Sequence, residues 1–380
     1  MDLTASLSGS AAVAAGTRAG TKAWLPATGL LTGTLITLVG LTWDVEWHDD
    51  VGPDTFFTMP HLFLYTGSAI AGLISLVVVL STTAAQRAGR PVDQAVGGQA
   101  VGVFGRTFAA PVGYLVAGTG GALFLLYGLW DLWWHSLYGF DAVIDSPPHI
   151  GLLLSVMLTM VGTVMVFAAA RSKRWGVFGT LASTAVLLSF SSVTVLGLSD
   201  VDTAVDAVTI GMTFLSVMLI LVARGFFGRP GGALAAAVLL GAWQAFSWWF
   251  SQWAAHAYAS AVGLPLRDNV DDVASMPALM PMFLGAAALL AELVLWAVGR
   301  RGRTPRWAGA LAGAVAGFVV AGAQPFQDVL IYEGAYLPAT GQILATAGVG
   351  AAFGLLGGFL GWRFGGMLRL LAPAREKETV

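Results

Sequence analysis

Apolar runs of about twenty residues, each long enough to cross a hydrocarbon core about 30 Å thick, recur along the chain between short polar breaks. They predict helices at about 24–46, 60–81, 110–135, 148–170, 175–198, 204–226, 232–258, 276–299, 307–330 and 338–364. The expected fold is all-α: a polytopic membrane protein of about ten transmembrane helices in five helical hairpins. The small, polar residues 1–23 contain no short apolar core followed by a cleavage site, which predicts an uncleaved N-terminal tail. Residues 24–170 would form a four-helix half, residues 171–370 a six-helix half, and residues 371–380 a C-terminal tail.

Composition strengthens this reading. Of the 380 residues, 57% are hydrophobic and 11% charged, against roughly half apolar and a quarter charged in soluble domains. Soluble enzymes, nucleic-acid binders and disordered regulators are excluded, and the lipid bilayer becomes the first partner. The absence of cysteine removes disulfides, thiolate metal sites and nucleophilic thiols, so a metal must be held by His, carboxylate, Met or backbone oxygen. The many glycines inside spans mark helix–helix faces, because small residues let backbones approach within lipid.

Charge sorts the loops. Eighteen of the 19 basic residues fall in alternate loops or at the two ends, including Arg87, Arg90, Arg106, Arg171, Arg224 and Arg229; Arg267 is the exception. The positive-inside rule predicts that this side and both termini are cytoplasmic. The other five loops hold most of the acids and all five histidines, His48, His61, His135, His149 and His256. Any metal chemistry is therefore expected on the extracytoplasmic face of a cell membrane.

Two of those loops repeat one pattern. The first reads Trp43-Asp44-x-x-Trp47-His48, then Gly52-x-Asp54, then Thr58-x-Pro60-His61; the second reads Trp130-Asp131-x-x-Trp134-His135, then Gly139-x-Asp141, then Ser146-x-Pro148-His149. Asp and His four residues apart share a helix face, about 6 Å apart along the axis. Proline suits the first turn of the next helix, where its missing N–H leaves no bond unmade. Each hairpin thus offers one carboxylate and two imidazoles, a set used for copper, zinc and non-haem iron. Asp54 and Asp141 are candidates to hold an imidazole N–H and fix its tautomer.

The bland reading of a histidine beside Trp at a helix end is an interfacial residue, and it weakens when two loops carry the same order and nearly the same spacing. Haem ligation gives the carboxylate one turn before the histidine no role. Worn copies follow in the second half, with Gln252 four before His256 and Met276-Pro277-Ala278 echoing Met59-Pro60-His61 without the histidine; His256 is expected to play a supporting part. Glu292 is the one acid well inside a span. It is a functional candidate by default, or else a partner of the arginines at 300–303 or of a nearby hydroxyl.

At Asp44-x-x-x-His48 with Pro60-His61, and at Asp131-x-x-x-His135 with Pro148-His149, the chain resembles the C subunit of the particulate methane and ammonia monooxygenases, over about 44–65 and 131–152. That family carries an Asp-His-His metal site with the spacing of Asp44, His48 and His61, and an Asn-His-His site with the spacing of Asp131, His135 and His149, where Asp131 replaces the Asn. The resemblance implies copper near the outer face, with oxygen activation as the associated chemistry, zinc as another occupant, and partner subunits of the monooxygenase type. Two other readings stand beside it: a copper storage, delivery or sensing protein, for which a cupredoxin is a natural partner, and a metal- or proton-coupled transporter using Glu292.

Overall fold

The computed structural model describes residues 23–90, 92, 96–139, 144–268, 270, 272–300 and 305–372. The chain is an all-α polytopic membrane protein: ten segments among the described residues are helical, long and apolar enough to cross a membrane. They are α1 (Trp24–Asp50), α2 (Met59–Arg87), α3 (Val112–Tyr138), α4 (Pro147–Ala169), α5 (Arg174–Thr194), α6 (Ala207–Phe227), α7 (Gly232–Val262), the broken pair α8 (Ser275–Leu279) and α9 (Leu284–Gly299), α10 (Ala308–Ile331) and α11 (Thr340–Leu368). Exposed Leu73 and Val77 on α2 and Leu125, Leu126 and Leu129 on α3 form a surface suited to lipid.

Several helices outrun the ends read from hydropathy. α1 continues to Asp50 and α2 to Arg87, and 27 residues rise about 40 Å, some 10 Å more than the hydrocarbon core. The added turns are polar, so hydropathy does not register them, and in α1 they run from Trp47 to Asp50 and include His48. Between α2 and α3 lies an unpredicted antiparallel hairpin, β1 (Ala100–Val103) and β2 (Phe108–Pro111). Its turn places Phe104, Gly105 and Arg106 at positive φ. The Thr83 hydroxyl docks it on α2, donating to Ala109 O and accepting from Ala109 N–H, both at 3.0 Å.

The eighth span is also not the continuous helix expected. The chain leaves helical conformation at Met280, before Pro281, whose ring disfavours helix in the preceding residue. Two buried amides complete the backbone bonding. Gln244 Nε2 donates to Pro277 O (2.8 Å) and Met280 O (3.0 Å); Gln327 Nε2 donates to Ala278 O (2.7 Å) and Met280 O (3.0 Å), while its Oε1 accepts from Met282 N–H at 2.8 Å. Non-helical backbone persists at membrane depth only where protein groups satisfy it in this way.

Arg224, assigned by its charge to a basic loop, lies in the last turn of α6 and is buried. It answers Glu292: Arg224 Nε donates to Glu292 Oε2 at 2.8 Å, and Glu292 Oε1 accepts from Ala233 N–H at 3.0 Å at the start of α7. Arg300, offered as a partner for Glu292, instead sits over the Trp296 ring at 3.6 Å.

A single buried apolar cluster runs from Leu38 on α1 to Val320 on α10. The 24–170 and 171–370 segments share it, and α1 packs against α5, α7 and α8. On α10, Gly313 meets Gly354 and Gly358 of α11 so closely that a Cβ would collide with backbone. The end of α1 is gripped from the other half as well: Arg267 N–H donates to Asp50 O at 2.8 Å.

Candidate metal centre

Each triad is assembled by one helical hairpin. Asp44 and His48 stand one turn apart near the end of α1, and α2 begins at Met59 with Pro60 in its first turn, bringing His61 back alongside. In the second hairpin Asp131 and His135 occupy the end of α3. Ser146 caps α4, its hydroxyl accepting the His149 N–H at 3.4 Å, so the cap that starts the helix also holds the backbone of a candidate ligand.

The ligand atoms converge. His61 Nε2 lies 3.2 Å from Asp44 Oδ1; His135 Nε2 and His149 Nε2 lie 3.4 and 3.2 Å from Asp131 Oδ1. In each triad one donor atom per residue falls within 4.8 Å of the others, so each group can hold a metal ion. Metal–ligand bonds of 2.0–2.1 Å about a tetrahedral ion place neighbouring donors about 3.3 Å apart, which matches these separations. Charge-assisted N–H···O bonds are shorter, about 2.7–2.9 Å. Moreover, Asp44 Oδ1 and Asp131 Oδ1 are buried and make no hydrogen bond, although a buried carboxylate oxygen ordinarily has a partner.

Backbone carbonyls orient two of the imidazoles. His61 Nδ1 lies 3.0 Å from Thr55 O and His135 Nδ1 lies 2.9 Å from Gly139 O. A carbonyl only accepts, so Nδ1 carries the proton, and the ring, when neutral, presents its Nε2 lone pair to the site.

Asp54 is placed differently from a backing group. Its Oδ2 faces Nε2 of both His48 and His61, at 3.4 Å from each, and so adds a fourth potential donor on the ligand side of the first triad. Burial alone would raise the Asp54 carboxyl, but the adjacent His48 and His61 imidazoles outweigh it and hold the group below the usual carboxylate range. Asp141, its counterpart in the second repeat, lies outside the described residues.

His256 stands apart from both triads: its Nε2 is bonded to Asp50 Oδ2 at 2.6 Å. Glu46, fully buried on α1, accepts from the Ser251 hydroxyl (3.0 Å) and from Ser275 N–H (2.9 Å). None of these three partners of Glu46 and Asp50 was legible, since they lie more than 200 positions away along the chain. Tyr65 was missed although it carries a readable signal: it follows His61 by four residues and shares its helix face. Both triads and Tyr65 line one cavity of about 650 Å³, whose inner wall is apolar with Leu64, Phe124, Val156 and Phe190. Comparison with protein-family models, curated proteins and solved structures finds no match to this chain.

Proposed function

We propose that the protein is an integral membrane copper protein with two His₂-carboxylate centres, Asp44/His48/His61 and Asp131/His135/His149, related to the C subunit of the copper membrane monooxygenases and serving oxygen-dependent chemistry on the extracytoplasmic face. The observation that carries this reading is the convergence of imidazole nitrogens on a buried carboxylate oxygen without a hydrogen bond, at ligand–ligand spacing, in both hairpins. Copper held by three protein donors supplies one-electron redox chemistry and a coordination position for a small ligand. The chain's own residues hold and orient it: Thr55 O and Gly139 O select the imidazole tautomers, and the apolar inner wall limits water.

A second reading, copper storage or delivery without catalysis, draws on Asp54. A fourth donor beside His48 and His61 would close the first centre, as in structural metal sites. The transporter reading loses its main support, because Glu292 is engaged by Arg224.

Metal analysis of protein purified without chelators and reloaded with copper tests the centre. Two ions per chain are expected, falling to one in His61→Ala or in His149→Ala; a wild-type chain that binds none overturns the proposal. Asp44→Ala separates the readings. It abolishes oxygen-dependent product formation in membranes containing any partner subunits if the protein is an oxygenase component, and changes only copper tolerance or delivery if it stores metal.

A further inference from the structure

The loop between α1 and α2 is built to aim one carboxylate oxygen. Gly52 N–H donates to Trp47 O at 2.9 Å, and the buried Trp47 ring donates from Nε1 to Pro53 O at 2.8 Å. Gly52 lies at φ +96°, where a side chain would also strike the Arg267 guanidinium, so the bend requires glycine. Thr55 N–H then donates to Asp54 Oδ1 at 2.7 Å and to the Thr58 hydroxyl at 2.8 Å. The loop thereby occupies Oδ1 and leaves Oδ2 facing the imidazoles on a side chain only 8% exposed. The same loop supplies Thr55 O, the carbonyl beside His61 Nδ1.

The surroundings of Oδ2 are those of a metal ligand. It lies 3.4 Å from Nε2 of His48 and 3.4 Å from Nε2 of His61, while Asp44 Oδ1 lies 3.2 Å from the same His61 atom. With its proton on Nδ1, the neutral His61 ring has only a lone pair at Nε2. Two carboxylate oxygens and that nitrogen then meet with no hydrogen among them, and such atoms repel unless a cation lies between. Their separations match neighbouring donors about a tetrahedral ion, about 3.3 Å apart. Two carboxylates also offset the charge of a divalent ion, and no Lys or Arg stands among the described residues lining the chamber.

We propose that Asp54 is the fourth protein ligand of the first centre, which holds a divalent ion between two imidazoles and two carboxylates. The proposal rests on metal occupying the first triad. Four protein donors leave water no strongly held position and confine a small ligand at a copper ion there to a weak axial one.

The test uses full-length protein carrying His149→Ala, so that copper(II) reports the first centre alone, with and without Asp54→Ala. Copper is counted, its affinity is measured by chelator competition, and its electron paramagnetic resonance is recorded in water enriched in the magnetic isotope of oxygen. With Asp54 present, one copper should bind and its lines should not broaden. Asp54→Ala should still bind one copper at saturation, weaker by about tenfold or more, with lines broadened by water in the vacated position. Equal broadening in both proteins overturns Asp54 as a ligand whatever the affinities, because a group that only supports the loop leaves the coordinated water unchanged. If Asp54→Ala does not fold, Asp54→Asn, which keeps an oxygen for Thr55 N–H, decides instead: a changed copper hyperfine pattern supports the ligand and an unchanged one overturns it. A wild type that binds no copper is a different failure, which removes the metal reading and this proposal with it.

Discussion

His256 Nε2 on α7 lies 2.6 Å from Asp50 Oδ2 at the end of α1, joining the histidine-poor part of the chain to the helix that carries Asp44 and His48. Asp50 is buried and its partner is partly exposed. His256→Ala should therefore leave the copper count at two and lower stability by about 1 kcal/mol, a figure kept small because solvent screens the exposed imidazole. Metal analysis paired with thermal unfolding in detergent checks this. Loss of one ion would make His256 part of a centre.

Orientation follows from the charge distribution. Cysteines placed at Asp49 or Asp268 should react with an impermeant thiol reagent on intact cells, and cysteines at Ser172 or Arg306 only after permeabilisation. The chain has no native cysteine, so it contributes no labelling of its own. Labelling of Ser172→Cys from outside would reverse the topology and place both triads on the cytoplasmic side.

The Arg224–Glu292 pair bridges α6, α9 and the start of α7. Removing one member of a buried ion pair leaves the other charge without compensation and costs about 3–5 kcal/mol, whereas replacing both with apolar residues costs much less. Glu292→Leu should thus be severely destabilised, and Arg224→Met combined with Glu292→Leu should recover much of the loss in a thermal-shift assay. Two losses that simply add would show that the residues act independently, and would return Glu292 to candidacy for coupled transport.

The spans, the two triads and the sorting of basic from acidic loops were legible because each depends on local order. Apolar length decides whether a segment can cross a bilayer. A gap of four residues puts Asp44 beside His48 and Asp131 beside His135 on any helix, and a short hairpin must return the next helix alongside. Even so, the first helix outruns its apolar run, since the final turn that carries His48 is itself polar.

What only the tertiary structure decided are the relationships between segments distant along the chain. Nothing local in Gln244 or Gln327 announces that they complete the backbone of the broken eighth span, and nothing near Arg224 names Glu292 as its partner 68 positions later. Asp54 could be read as a group behind an imidazole, but the path of the 51–58 loop turns it toward both Nε2 atoms. The sequence shows two separate repeats; the packing of the α1–α2 hairpin against the α3–α4 hairpin merges them into one chamber, with Tyr65 in its wall. Periodicity determines which residues share a helix face, but which faces meet depends on how the small and large side chains of all ten spans pack together.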